Sequence, residues 1–229
     1  MDWRVKISKD INFKGYTPQT VTFSELNFPD EVGISNEEYD SFSASQREDY
    51  IFNYLRQNSD FNDVQISGIV ACLINESGLN RTIENQMEAD KWKNKPYKSG
   101  KGIAQWSLDR NLNFSEWMEE NYGEAAFPNE VTINQQLEFM LFEMSQRPAF
   151  LKAIAAATTP EQAADAMRRG FENGSANSLA TKKQMDGYIA VGSPGANAIY
   201  AKDAKQANRL YSRMTLVTVA KNGIKLLIK

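Results

Sequence analysis

Asn62-Asp63-Val64-Gln65-Ile66-Ser67-Gly68-Ile69-Val70-Ala71-Cys72-Leu73-Ile74-Asn75 runs directly into Glu76-Ser77-Gly78. Ile66, Ile69, Val70 and Leu73 recur at the i, i+3, i+4, i+7 spacing of one buried helix face. Continuing the count, Glu76 falls on the same stripe, in the last turn before Gly78 ends the helix. An ionisable group therefore stands where the pattern asks for an apolar one. A carboxyl held among apolar neighbours resists ionising and can stay protonated near neutral pH. Glycoside cleavage needs such a general acid.

Composition removes most other chemistries. The 229 residues include no histidine and one cysteine, Cys72. Ser-His-Asp hydrolases, Cys-His peptidases and His-ligated zinc sites are excluded. Cys72 reads as a small core residue, and no disulfide can form within the chain. Carboxylate chemistry remains, or binding without chemistry. A net charge of −3 argues against a nucleic-acid partner. No stretch is apolar enough for a membrane span, and Met1-Asp2-Trp3-Arg4 opens no signal peptide.

Working outward, the expected fold class is mainly α, with a polar N-terminal extension and a short C-terminal β-hairpin. Residues 1–44 form the extension or docking arm, and Val21-Thr22-Phe23-Ser24-Glu25-Leu26 alternates like a strand. The body spans 45–213. Ser45 can cap a helix carrying Tyr50, Ile51, Tyr54 and Leu55. Helices are predicted over Asn111 to Tyr122 and Glu130 to Arg147, the latter broken by Pro148. Thr159-Pro160-Glu161-Gln162 has a capping-box pattern with proline at the first helical position. Asn173 to Asn197 reads as a long loop, and Ala201 to Met214 as a last helix. Residues 214–229 change period: Asn222-Gly223 lies between two apolar runs, a strong hairpin signal.

Downstream of Glu76 comes Gly100-Lys101-Gly102-Ile103-Ala104-Gln105-Trp106-Ser107. Two glycines around a lysine imply tight turns that display Gln105 and Trp106 from a loop. An amide beside an indole can grip a sugar by hydrogen bonds and ring stacking. The competing reading puts Trp106 in the core and Gln105 on the surface.

Glu76-Ser77-Gly78 followed by Gly102-Ile103-Ala104-Gln105-Trp106 resembles the paired motifs of goose-type lysozymes and lytic transglycosylases. It is more similar still to the phage tail lysozyme family, in which Gly-Ile-Ala-Gln-Trp is followed by an arginine, here Arg110. The resemblance runs on through Leu137, Phe139 and Phe171-Glu172. It implies a lysozyme-like helical domain whose Glu76 lies at the rim of a cleft for a peptidoglycan strand. It also implies cleavage of the β-1,4 bond between N-acetylmuramic acid and N-acetylglucosamine, in a virion tail protein that opens the host wall and has other tail proteins as partners.

On this reading Glu76 is the general acid and Gln105, Trp106 and Ser107 contact substrate. Hydrolysis normally uses a second carboxylate. Goose-type enzymes carry an acid two residues after the glutamine, where this chain has Ser107. Asp109 is the expected replacement, with Glu88 and Asp90 as others, although Asp109 can equally cap the following helix. Without a second carboxylate, intramolecular attack giving an anhydro product becomes credible, as does a non-catalytic glycan-binding or structural tail component. No cofactor or metal is expected. Asp109, Asn111, Asn113, Ser115 and Glu120 have calcium-loop spacing, but Phe114 stands where that loop needs glycine. Lys91, Lys93, Lys95, Lys98 and Lys101 read as a solvated loop, or as contacts to stem-peptide carboxylates or anionic wall polymers.

Overall fold

A computed structural model describes residues 34–123, 129–188 and 195–227. Two short-range capping devices start its central pair of helices. In α2 (Ala44–Asn58), Ser43 and Gln46 exchange bonds as a complete capping box, so Ser45 lies inside the helix rather than at its cap. In α3 (Asp63–Ser77), Asn62 and Gln65 do the same, and Gly78 closes the far end in the left-handed conformation at φ 63°. Ile66, Ile69, Val70 and Leu73 are fully buried, as their spacing requires. Each such side chain contributes about 1.5–3 kcal/mol of burial free energy.

Helix α3 lies at the centre because its neighbours can approach its backbone. It packs on α8 (Pro160–Ala166) and on the long terminal helix Ala196–Leu227. Gly68 is the reason α8 comes so close: a methyl group there would collide with the backbone of Ala163 and Ala164. Thr159 caps α8 through the amide of Gln162, with Pro160 in its first turn.

The second half of the core surrounds α6 (Ile133–Ser145), whose Leu137, Phe139, Met140, Leu141 and Met144 are buried. Phe139 stacks on Phe114 of α5 (Asp109–Tyr122) with centroids 4.4 Å apart. Pro148 both ends the α6 segment and opens α7 (Pro148–Ala155) as a first-turn residue. The short helices α1 (Asn36–Ser41), α4 (Gln86–Lys91) and α9 (Lys182–Tyr188) complete the described set with a 3-10 turn at Pro96–Lys98 and a π turn at Met167–Glu172. Helix α9 falls in the stretch expected to be a loop.

The C-terminal hairpin is a correction. Helix α10 runs Ala196–Leu227, through Asn222 and Gly223, and no β-strand forms among the described residues. Ala207, Leu210 and Met214 anchor the first half of α10 in the core. A helix already nucleated gains a hydrogen bond for each added residue, whereas an unsupported two-stranded hairpin is marginal. That difference offsets the roughly 1 kcal/mol penalty of an internal glycine. The strand expected at Val21 to Leu26 lies outside the described residues.

Candidate functional site

Glu76 occupies the last turn of α3 with its side chain 24 % exposed. Gly78 and Leu79 then turn the chain sharply, both at positive φ. Ser77 steadies the turn by donating to the carbonyl of Leu73 and accepting from the amide of Leu79. Two long-range contacts pin the chain beyond the turn. Tyr39 of α1 donates to the Leu79 carbonyl at 2.8 Å, and buried Arg81 pairs with Asp40 while donating to the carbonyls of Asn129 and Val131. The described end of the segment read as an extension or docking arm thus braces this turn through α1.

The second motif is brought alongside by backbone pairing. Asn85 donates to the Gly100 carbonyl at 2.8 Å and Gly102 to the Ile83 carbonyl at 2.9 Å. Gln136 of α6 clamps both sides, accepting from the Ile103 amide and donating to the Arg81 carbonyl. Among the described residues, Leu79, Gln105 and Leu108 are the non-glycine residues at positive φ. All three lie in these two joined loops. Such conformations cost about 1–3 kcal/mol each and persist where surrounding structure enforces them, commonly at functional sites.

Behind Glu76 stands the π turn, whose wide winding is seen in the bond from the Asn173 amide to the Arg168 carbonyl five residues back. It delivers Arg168 to the Glu76 carboxylate, where the two form an ion pair. The same guanidinium holds Asp203 of α10 through bonds of 2.8 and 3.1 Å, and Asn75 donates to Asp203 at 2.6 Å. Glu76 is thus met by a cation rather than by the apolar pocket its position on the stripe predicted.

A second cluster lies deeper. Arg110 grips Glu143 with bonds of 2.7 and 2.9 Å, Trp106 Nε1 donates to Glu143 at 3.0 Å, and Arg147 adds a bond of 2.7 Å. Burial would raise the Glu143 carboxyl. Arg110 first, then Arg147 and the indole, outweigh that and hold it below the usual range. Arg147 also donates to the carbonyls of Gly170, Phe171 and Gly174, tying α6 to the π turn.

Glu172 ends that turn. Its side chain is 6 % exposed, Oε2 accepts a long 3.4 Å bond from Arg110, and Oε1 is buried without a partner. Burial drives its carboxyl up to about 7; Arg110 opposes the rise and the charge of Glu76 adds to it. The arrangement places a partly exposed carboxyl, held by an arginine, near a buried carboxyl that burial pushes up.

The remaining sequence-predicted residues divide. Gln105 is half-buried and donates to the Gly102 carbonyl at 3.0 Å. Trp106 is fully buried, packed on Phe114 and Phe139, so it offers no ring face to a sugar; its expected stacking role is corrected to a structural one. Ser107 is partly buried. Asp109 is exposed in the first turn of α5, behind Leu108, which makes no side-chain cap. Glu88 accepts from the Gly100 amide at 2.9 Å, and Asp90 from Gln86 at 3.1 Å. Residues 109–122 are helical rather than a calcium-type loop.

Arg168, Glu143 and the burial of Glu172 were missed. Glu143 follows buried Phe139 by one helical turn and is open to the stripe argument that singled out Glu76. Arg168 carries no local signal, because its partners lie far away in the chain. A shallow depression of about 410 Å³ between α7 and α8, lined by Ala153, Ala157, Asp165 and Arg169 among others, contains none of the expected site residues.

The family model described as phage tail lysozyme matches residues 46–212, more than half of the chain. No curated protein matches it significantly.

Proposed function

The chain belongs to the phage tail lysozyme family, and we propose on that premise that it is a muramidase of the virion tail. Its substrate is the peptidoglycan strand, and its reaction opens the β-1,4 bond between N-acetylmuramic acid and N-acetylglucosamine while the host wall is breached. The observation that carries this reading is the placement of Glu76: a partly exposed carboxyl at a helix end, held by Arg168 of the π turn that also carries the buried Glu172.

Glu76 protonates the departing glycosidic oxygen as the C–O bond breaks. In hydrolysis the attacking water returns the proton, so the cycle balances. Gln105, held by its own loop, is the polar contact to a sugar substituent, and Ser107 and Asp109 line the approach from the other motif.

Anhydro-forming cleavage is the second reading, favoured by one observation. Asp203, the other carboxyl on Arg168, and Glu172, on Arg110, are buried and cannot present a water to the opposite face of a sugar. Digestion of purified walls followed by mass spectrometry of the products tests both. Reducing N-acetylmuramic acid ends support hydrolysis, 1,6-anhydro ends support intramolecular attack, and an absence of released muropeptides removes the enzymatic reading in favour of a glycan-binding tail component.

A further inference from the structure

Neither cluster uses the lysine run. Lys91, Lys93, Lys95, Lys98 and Lys101 fall in a stretch, residues 91–101, that contains no acid, within a chain of net charge −3. Lys101 pairs with Glu84 at 3.5 Å. The other four have no carboxylate at ion-pair distance among the described residues. Of the acids of neighbouring α4, Glu88 accepts from the Gly100 amide and exposed Asp90 accepts from Gln86 on the same helix.

The run is folded rather than loose. Trp92 donates to the Glu88 carbonyl, Lys95 to that of Trp92 and Lys98 to that of Lys95, at 2.7–2.9 Å. The ammonium groups of Lys91 and Lys98 lie 5.0 and 4.1 Å from the Trp92 ring centroid. Cations steadied on an indole lose less freedom when a ligand arrives. A 2.7 Å bond from the Leu108 amide to the Tyr97 carbonyl joins this platform to the loop bearing Gln105. Among the described residues, three of the four exposed large apolar side chains lie here: Met87 on α4, Leu108 at this junction and Leu112 in the first turns of α5.

We propose that the Trp92 platform binds the carboxylate-bearing peptide stems of peptidoglycan, beside the strand engaged at Glu76. Lys91, Lys93, Lys95 and Lys98 meet the stem carboxylates, while Met87, Leu108 and Leu112 meet their alanyl methyl groups. This deepens the proposed function and rests on its identification of the substrate. The shared loop favours a ligand continuous with the glycan over a separate polyanion. Each exposed ion pair is weak, so the grip comes from four cations acting on a ligand that repeats its charges.

The test is co-sedimentation of the full chain, carrying Glu76→Gln so that the ligand survives, with sacculi stripped of teichoic acids. The same sacculi after amidase removal of the stems, and anionic phosphatidylglycerol vesicles, serve as the comparison arms. Replacing Lys91, Lys93, Lys95 and Lys98 together by Gln is expected to weaken binding to intact sacculi roughly tenfold at low ionic strength, and to leave stem-free glycan binding and the melting temperature unchanged. The difference should vanish in high salt. Equal binding of both chains to intact sacculi, equal wild-type affinity for stem-free glycan, or a preference for vesicles would each overturn the proposal. Muropeptide release by the unaltered chain, scored in parallel, reports on the enzymatic reading alone, so the two can fail separately.

Discussion

Two guanidinium clusters share similar chemistry but differ in access to water. Around Arg168, two carboxylates are held, and one of them, Glu76, keeps 24 % of its side chain exposed. Around Arg110, Glu143 and Glu172 are 12 % and 6 % exposed, and the indole of Trp106 closes over Glu143. The first can meet a ligand, whereas the second fastens α5, α6 and the π turn together. Residue type alone does not separate chemistry from scaffolding here; solvent access does.

The largest effect is expected where the sealed cluster is broken. Glu143→Gln leaves Arg110 and Arg147 without their shared anion, an uncompensated buried charge worth about 3–5 kcal/mol. Calorimetry should show a melting temperature lower by about 10 °C, with wall-digesting activity per folded molecule retained at low temperature. Loss of activity without loss of stability would move the chemistry to Arg110.

Trp106→Phe removes one donor to Glu143 and some ring volume. A loss of about 1–3 kcal/mol in denaturant unfolding is expected, with KM for walls unchanged. A raised KM at full stability would restore the sugar-stacking role.

A third carboxyl sharpens the contrast. Glu138 sits on α6 like Glu143, on a different face, and has tyrosines for partners, Tyr54 at 3.4 Å and Tyr122. Burial raises it to about 7, which the two tyrosine bonds only partly offset. A folded-state value above the unfolded one means the folded chain binds that proton more tightly. The associated stability is whole below about pH 4.5 and fades as pH rises through 7. Glu172 adds the same sign. Glu138→Gln should therefore flatten, without abolishing, the fall in melting temperature between pH 5 and 8. The smallest effect belongs to Asp109→Asn, expected to change wall digestion less than about threefold, because the exposed first turn of a helix tolerates a neutral isostere.

Local patterns were legible in the chain and distant pairings were not. Asn62, Gln65 and Gly78 declare the ends of α3, because capping is decided within four residues. The apolar stripe likewise marks Glu76 as unusual. Its partner Arg168 could not be read, since only the folded π turn brings them together. Trp106 was misread because a glycine-bracketed motif looks like a displayed loop, while Phe114 and Phe139, from two separate helices, enclose it. Asn222-Gly223 misled for a related reason: a strong turn dipeptide was overridden by a helix already anchored at Ala207 and Leu210.

The central claim is that Glu76 supplies the proton. It is tested most directly by the rate of muropeptide release from Glu76→Gln against the unaltered chain, at a temperature where both are fully folded. The account predicts a drop of at least about a hundredfold, the usual scale for losing a general acid, with the melting temperature little changed. Release within a few fold of the unaltered chain would contradict it.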